Sequence, residues 1–189
     1  MVLALPLLLG VLVSLALGGS LRAVANIRLR SLWLFYLAIG LQVVAFPFAF
    51  LPWTTPDLLQ RALWLCSYGL LAFGAARNLH LRGVRLILAG MSLNLAAVLV
   101  NGGRMPVLPE AMRDAGHDYG VRMNSVAAPT PRLDWLVDRW AAPDWVPLAN
   151  VFSVGDVVIA LGAFALGFAV TGITGSRAPL RLRARAPHA

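Results

Sequence analysis

Five hydrophobic runs constrain most strongly what this chain can fold into. Hydrophobic residues make up 59% of its 189 residues and charged residues only 13%. An α-helix needs about 20 apolar residues to cross the hydrocarbon core of a bilayer, and the runs approach that length. They cover residues 2–19, 32–51, 58–76, 86–100 and 154–173. We therefore predict an all-α fold, an integral membrane bundle of five transmembrane helices that forms a single domain over residues 1–189.

The placement of the arginines predicts the orientation of this bundle. The connections 20–31 and 77–85 and the tail 174–189 contain ten Arg and no acid, whereas residues 101–150 contain five Arg and six acids. Cytoplasmic segments of membrane proteins carry the excess of positive charge. We expect the two short connections and the tail to be cytoplasmic and the N-terminus to lie outside. The net charge of +8 is then a topology signal, and no nucleic-acid partner is needed to explain it.

Residues 101–153, between the fourth and fifth runs, form a predicted outer cap of short helices. Proline at the start, an acid in the first turn and a glycine stop predict one short helix from Pro109 to Ala115. Thr130-Pro131 predicts the start of a second, amphipathic helix that continues to about Trp140. The cap would therefore lie at the membrane surface, where lipids are its first partners.

A short sequence echo relates the first and second runs to the third and fourth. Residues Asn26–Ser31 align with Asn78–Gly83 at an offset of 52 residues, and the same register pairs Gln42 with Asn94. Two interpretations fit the echo. The first four helices form a parallel repeat of two hairpins, or two basic turns have converged on one composition.

Small residues follow one face of the first run. Gly10, Ser14 and Gly18 are spaced at i, i+4 and i+8, which allows another helix to approach closely. A membrane protein partner or a second copy in a homo-oligomer could supply such a helix, and the alternative is that glycine is merely tolerated in a membrane helix.

Two amides lie deep in the apolar runs. Gln42 and Asn94 would either hydrogen-bond to each other across a helix contact, as membrane amides do, or line a polar cavity. Asn101 lies seven residues after Asn94, two helical turns on and on the same face. A cavity open to the outside could follow that face.

The two ends of the cap carry the predicted binding residues. At the first end, Asn101, Gly102 and Gly103 predict a helix stop, because glycine accepts a left-handed backbone. Free amides there could form a nest for an anion or a lipid headgroup. The predicted binding set comprises Asn94, Asn101, Gly102, Gly103, Arg104, Met105, Pro106, Ser153 and Asp156.

At the second end, Ser153 and Asp156 have the spacing of a capping box at the start of the fifth helix. Asp156 borders this helix at the outer level, where Arg104 also lies. We predict that Arg104 and Asp156 approach each other and clamp the ends of the cap together.

The sequence predicts no cofactor, no metal site and no catalytic residues. Glu110, Asp114 and His117 follow one another at helical spacing and are weak metal candidates. Their spacing matches no established zinc motif, however. Motifs for nucleophilic, phosphate-binding or redox chemistry are not found.

The motifs Asn101-Gly102-Gly103-Arg104-Met105-Pro106-Val107 and Val151-Phe152-Ser153-Val154-Gly155-Asp156 resemble those of a bacterial membrane protein family, domain of unknown function 5317. The resemblance covers nearly the whole chain. It implies a multi-pass protein of the bacterial cytoplasmic membrane with the helix layout described above, and it implies no activity.

These observations favour a non-catalytic membrane component that binds a lipid headgroup, a small solute or a partner protein through its extracytoplasmic cap. The first alternative is a small-solute transporter or channel. The second is a membrane-embedded enzyme acting at the outer interface.

Overall fold

The fold is a row of five apolar helices closed at one end by a small mixed cap. The computed structural model describes residues 3–47, 54–116, 121–143 and 151–172. They contain two 3-10 helices, Leu21–Asn26 and Asp134–Leu136. The α-helices and strands are, in chain order, α1 (Ala4–Ala16), α2 (Leu32–Ala45), α3 (Asp57–Arg77), α4 (Val84–Val100), β1 (Met105–Val107), α5 (Pro109–Asp114), β2 (Val121–Arg122), β3 (Ser125–Ala127), β4 (Trp140–Ala141), β5 (Val151–Phe152) and α6 (Val154–Val170).

The five predicted apolar helices are confirmed, with shifted ends. The second ends at Ala45 and not near residue 51, because Phe46 leaves the helical conformation (φ −127°, ψ 74°). Pro47 follows, and proline disfavours the helical conformation of the residue before it. The predictions for residues 2, 48–51 and 173 and for the tail 174–189 lie outside the described residues.

Length separates α3 from the other four helices. Among the described residues it is the one helix that is both long and apolar enough to cross a membrane, with 21 residues and a mean hydropathy of 1.2. The other four are apolar but have only 13 to 17 residues. At 1.5 Å per residue, 17 residues extend about 26 Å. Length and composition therefore support a full membrane span for α3 alone.

The helices pack in the order α1, α6, α4, α3, α2. Helix α6, the last of the described helices, thus lies between α1 and α4. Along α2 and α3, Gln42 is next to Ser67 and the Phe35 ring is next to Gly74, so these helices run antiparallel. Helices that follow one another along the chain alternate in direction, which brings the connections 20–31 and 78–83 to one end of the row and the described part of residues 101–153 to the other.

Glycines allow α6 to pack closely on both of its neighbours. A Cβ atom on Gly162 would lie 2.7 Å from the Gly83 carbonyl oxygen and 2.7 Å from the Ile87 nitrogen of α4. On the other side, a Cβ atom on Gly10 of α1 would lie 2.9 Å from the Phe168 nitrogen. Backbones approach this closely only where no side chain intervenes.

This packing decides two of the sequence predictions. The stripe on α1 does meet a helix through Gly10 and Ser14, but that helix is α6 of the same chain, and Gly18 lies beyond the end of α1 with φ +95°. The prediction of two equivalent hairpins is wrong, because α1 packs on α6 and not on α2, whereas α3 does pack on α4.

The cap combines helix and strand, which corrects the all-α prediction. In one sheet β1 pairs with β3 in parallel and β3 pairs with β2 antiparallel, while β4 and β5 form a second, antiparallel pair. The short helix predicted from Pro109 to Ala115 is confirmed as α5. A core of Val107, Ala111, Met112 and Val151 connects it to the strands.

The second predicted cap helix, from Thr130 to about Trp140, does not form. Leu133 adopts a left-handed conformation (φ +52°), only Asp134–Leu136 turn as a 3-10 helix, and Trp140 begins a strand. The backbone of Asp138 instead pairs with the β1 segment, donating from its N–H to the Pro106 carbonyl at 3.0 Å. Pairing with a distant segment thus overrides the local amphipathic pattern.

Candidate ligand-binding cavity beneath the cap

A cavity of about 170 Å³ lies where the cap meets the row of helices. The helices α3, α4 and α6 contribute its walls on one side, and the β1–β3 sheet and the segment before β4 contribute the other. Its lining is part polar and part aromatic, and consists of Trp64, Tyr68, Asn94, Val98, Met105, Asn124, Ser125, Asp138 and Asp156.

Asp156 is held at the cavity by a complete hydrogen-bond network. The predicted capping box is confirmed: Ser153 Oγ accepts from the Asp156 N–H at 3.2 Å, and Asp156 Oδ2 accepts from the Ser153 N–H at 3.0 Å. Asn94 Nδ2 of α4 donates to Asp156 Oδ1 at 2.9 Å. Both carboxylate oxygens therefore have donors, which fixes the group at the start of α6.

Gly155 keeps this network in place. A Cβ atom at this position would collide with the side-chain oxygen of Asn94 and would lie 2.8 Å from the Gly90 carbonyl oxygen. The glycine thus lets α4 and α6 approach until the amide and the carboxylate meet.

Asp138 faces the same cavity from the cap and has no such network. Its relative exposure is 7%, and its Oδ1 atom is buried without a hydrogen-bond partner among the described residues. Burial, and secondarily the charge of Asp156, raises the pKa of the Asp138 carboxyl well above its usual range. A buried polar atom without a partner carries a desolvation cost, which a bound ligand would relieve.

Asn124 also has a buried polar atom without a hydrogen-bond partner, in this case a donor. Its Nδ2 atom is buried and has no acceptor among the described residues. Its backbone carbonyl accepts from the Met105 N–H at 2.7 Å, which fixes the residue beside β1. Two residues of the cavity lining thus each carry a buried polar atom, one an acceptor and one a donor, without a partner among the described residues.

The aromatic wall comes from one face of α3. The ring centroids of Trp64 and Tyr68 lie 4.9 Å apart. The Tyr68 hydroxyl donates to the Met91 carbonyl of α4 at 2.9 Å, so the ring is held against the neighbouring helix. The hydroxyl proton of Tyr68 is therefore already donated to Met91, and Tyr68 contributes its aromatic ring to the cavity lining.

The predicted clamp between Arg104 and Asp156 is wrong. Arg104 is buried and ion-pairs with Asp57 at the start of α3, and it also donates to Gln60 Oε1 at 3.0 Å. Its other terminal nitrogen donates to the Met123 carbonyl at 2.6 Å. Arg104 therefore fixes the cap to α3, while Asp156 is bound to α4. The spatial order of the helices, which the sequence does not reveal, separates the two groups.

A second arginine completes this attachment. Arg61 pairs with Asp57 at i,i+4 spacing, and it donates to the Gly102 carbonyl at 2.9 Å. Asp57 thus receives both guanidinium groups, one from its own helix and one from the cap.

The remaining residues of the Asn101–Pro106 motif shape the cap. Gly102 and Gly103 are left-handed (φ +80° and +88°), as the helix stop predicts. Asn101 donates to the Ala97 and Arg132 carbonyls at 2.8 Å each, and it is not part of the cavity lining. Met105 lines the cavity, and Pro106 is buried beside it.

The predicted Gln42–Asn94 pair does not form. Gln42 donates instead to Ser67 Oγ at 3.2 Å in the contact between α2 and α3. Helix α3 separates Gln42 on α2 from Asn94 on α4. Of the two amides, only Asn94 lines the cavity.

The weak metal candidates do not converge in the part of the chain that the structure describes. Glu110 and Asp114 are both exposed on α5, and His117 lies outside the described residues. Within those residues no three acidic, histidine or cysteine side chains are grouped as metal ligands.

Sequence reasoning missed Asp138, Asn124, Ser125, Tyr68 and Trp64. Asp138 lies in the segment predicted as the second cap helix, and its burial depends instead on pairing with residues some thirty positions earlier. Tyr68 did leave a signal: a hydroxyl inside an apolar run needs a partner.

Fold and cavity together define a capped helical bundle with an acidic, aromatic-walled cavity. The chain belongs to the family of unknown function DUF5317, whose model matches residues 26–168. The resemblance noted from the two motifs is thus confirmed, and every residue that lines the cavity falls inside the match. No curated protein and no solved structure matches the chain.

Proposed function

We propose that this protein is a multi-pass membrane protein that binds a small polar solute or headgroup in the cavity beneath its extracytoplasmic cap. The observation that carries the proposal is the pair of buried, unpartnered polar atoms, Asp138 Oδ1 and Asn124 Nδ2. Both residues line one cavity. Buried polar groups in proteins almost always have partners, so an acceptor and a donor left free at one cavity favour a ligand that supplies both.

The apolar exterior of the helices supports the membrane location. Large apolar side chains are exposed along α1, including Leu8, Leu9 and Leu12, and along α2, including Trp33 and Tyr36. Apolar surface costs about 25 cal/mol per Å² in water, and continuous patches of this kind mark contact with a membrane or a partner. The arginine distribution then favours the cap on the outside.

The distribution of polar groups favours binding over transport. The cavity draws its polar groups from the cap and from the adjoining ends of α4 and α6. Gln42 and Ser67, by contrast, bond to each other between α2 and α3. A transport pathway needs polar groups or water along the full depth of the bundle.

The test is a thermal-unfolding screen of the purified protein against a panel of small cationic, neutral and anionic solutes. At least one solute should raise the midpoint of unfolding, and Asn124→Leu should abolish that shift. Because the Asn124 amide nitrogen has no partner to lose among the described residues, this variant should remain folded.

Gln42→Leu is the matched control, since it removes a polar group outside the cavity and should leave the ligand-induced shift unchanged. If neither a solute of the panel nor a lipid headgroup shifts the unfolding midpoint, or if both variants retain the same shift as the unmodified protein, the cavity is not a binding site.

A further inference from the structure

The cavity has a definite charge. Its lining contains two carboxyl groups, Asp138 and Asp156, and no basic side chain. The two arginines nearest in sequence to its walls are engaged elsewhere: Arg104 binds Asp57, and the Arg139 guanidinium lies 5.6 Å from the ring centroid of Trp140. An anionic ligand would therefore meet two acids without a counter-charge.

The backbone of Asp138 and the carboxylate of Asp156 are both held in position by hydrogen bonds. Asp138 is fixed by its backbone, whose N–H donates to Pro106 and whose carbonyl accepts from Leu108, each at 3.0 Å. Asp156 is held by Asn94 and by the capping box at α6. A preorganised pair of acceptors on opposite walls suits a ligand with several N–H donors.

The aromatic wall distinguishes among cations. Trp64 and Tyr68 line the cavity beside the acids, and indole and phenol rings attract organic cations through their π-electron faces. Mg²⁺ and Ca²⁺ instead require about six or more oxygen ligands, and an aromatic wall supplies none. The lining thus favours an organic ammonium ion over a metal ion.

The free amide donor adds a second requirement. Asn124 Nδ2 needs an acceptor, which a simple alkylammonium ion lacks and a hydroxyl or phosphate oxygen provides. Size sets the third limit, because a cavity of about 150 Å³ holds benzene, so this cavity of about 170 Å³ holds a ligand of about six heavy atoms.

We propose that the ligand is a compact ammonium ion bearing an oxygen acceptor, of the ethanolamine class, with its ammonium group between Asp138 and Asp156 and its oxygen at Asn124. This inference rests on the proposed function. The same chemistry is presented by a free amino alcohol and by the headgroup of phosphatidylethanolamine.

The ionisation of the site is consistent with this ligand. Burial raises the pKa of the Asp138 carboxyl in the empty cavity, and a bound cation acts in the opposite direction, favouring the ionised carboxylate and release of the proton to solvent. Asp156 on α6 and Tyr68 on α3 are the other titratable groups in the lining, and α4 contributes the non-titrating Asn94.

The experiment compares four solutes of similar size by calorimetric titration of the full-length protein in nanodiscs of phosphatidylglycerol. Ethanolamine has the charge and the oxygen, ethylamine has only the charge, ethylene glycol has only oxygens, and glycolate is an anion. We expect ethanolamine to bind most tightly, followed by ethylamine, with ethylene glycol and glycolate far weaker.

Two variants assign the contacts. Asp138→Asn should weaken ethanolamine binding by about ten- to a hundredfold, the effect expected for loss of a hydrogen bond to a charged group. Asn124→Leu should equalise ethanolamine and ethylamine. A further arm uses nanodiscs that contain phosphatidylethanolamine and measures the unfolding midpoint. If this lipid raises the midpoint, Asp138→Asn removes the rise, and free ethanolamine does not bind, the ligand is the lipid headgroup.

Several outcomes would overturn the inference. Ethylene glycol or glycolate binding as tightly as ethanolamine would show that the cavity binds solutes without selecting for a cation, leaving the proposed function intact. Binding of Mg²⁺ or Ca²⁺ without binding of ethanolamine would identify a metal site. A response to neither ethanolamine nor phosphatidylethanolamine would also refute the ammonium class, whereas the wider solute panel decides the proposed function separately.

Discussion

Asp138 is a carboxyl group that the cap buries without supplying a hydrogen-bond partner. Its raised pKa means that the folded protein binds this proton more tightly than the unfolded chain does. The contribution of this carboxyl to the free energy of unfolding is therefore greatest below the pKa of an aspartate in the unfolded chain, about 3.9. It is lost as the pH rises from there towards the pKa of Asp138 in the folded protein. An asparagine at this position carries no titrating proton and escapes the loss.

We predict that Asp138→Asn becomes progressively more stable than the unmodified protein as the pH rises above about 4. The difference should grow by up to about 1.4 kcal/mol per pH unit until the folded carboxyl ionises. Thermal or denaturant unfolding of both proteins between pH 4 and pH 8 measures it. Parallel stability curves would show that the group is not buried as described.

At this scale the sequence predicted Asp156 and missed Asp138. Asp156 follows Ser153 at the spacing of a capping box, a local rule that needs only three residues of context. Asp138 becomes part of the cavity only through backbone bonds to Pro106 and Leu108, and no local pattern encodes these. Arg104 was recognised as an anchor, but its partner Asp57 belongs to a helix that the sequence does not place nearby.

At the scale of the helices, the close contact between α4 and α6 depends on glycines, which have no side chain. Gly162→Ala would place a methyl group 2.7 Å from backbone atoms of Gly83 and Ile87, and these atoms cannot move without shifting α4. We expect a loss of about 1–3 kcal/mol in unfolding free energy, as in other overpacked contacts, measured by steric-trap or denaturant unfolding.

Gly69→Ala provides the matched control, because a Cβ atom on Gly69 of α3 meets nothing within 4 Å. It should leave the unfolding free energy unchanged or slightly higher. Equal destabilisation by both substitutions would mean that helix flexibility, and not the close contact, sets the effect.

The cap is attached to α3 mainly through Arg104, which bonds to Asp57, Gln60 and Met123. Arg104→Met keeps the length of the side chain and removes these bonds. Backbone amides of the β1–β3 sheet should then exchange hydrogen faster by about tenfold or more, as measured by mass spectrometry. The exposed Arg113 of α5 offers a control, and Arg113→Met should leave exchange in this sheet unchanged.

Local rules predicted the ends of elements better than their contacts. The glycine stop at Gly102 and Gly103, the start of α5 at Pro109 and the start of α6 after Ser153 all agree with the structure. The amphipathic segment from Thr130 failed because its residues pair with β1 and β5. Strand pairing between distant segments has no periodic signal when the strands contain only two or three residues.

For the molecule as a whole, orientation is the property to test. In a Cys66→Ala background, Arg113→Cys places a thiol on the exposed cap and Arg22→Cys places one at the opposite end of the row. If the arginine-rich end is cytoplasmic, a membrane-impermeant maleimide should label the cap thiol in intact cells and the other thiol only after permeabilisation. The reverse labelling pattern would invert the topology.

The position of α6 also constrains the order of assembly. Ribosomes complete this helix after the other described helices, yet it lies between α1 and α4. During synthesis α1 must therefore remain without its main neighbour, and the glycines at the α4 contact, Gly83 and Gly90, must remain uncovered. Because Asp156 arrives on the same helix, the cavity acquires one of its two acids only when α6 packs, so closure of the bundle and completion of the cavity lining are a single event.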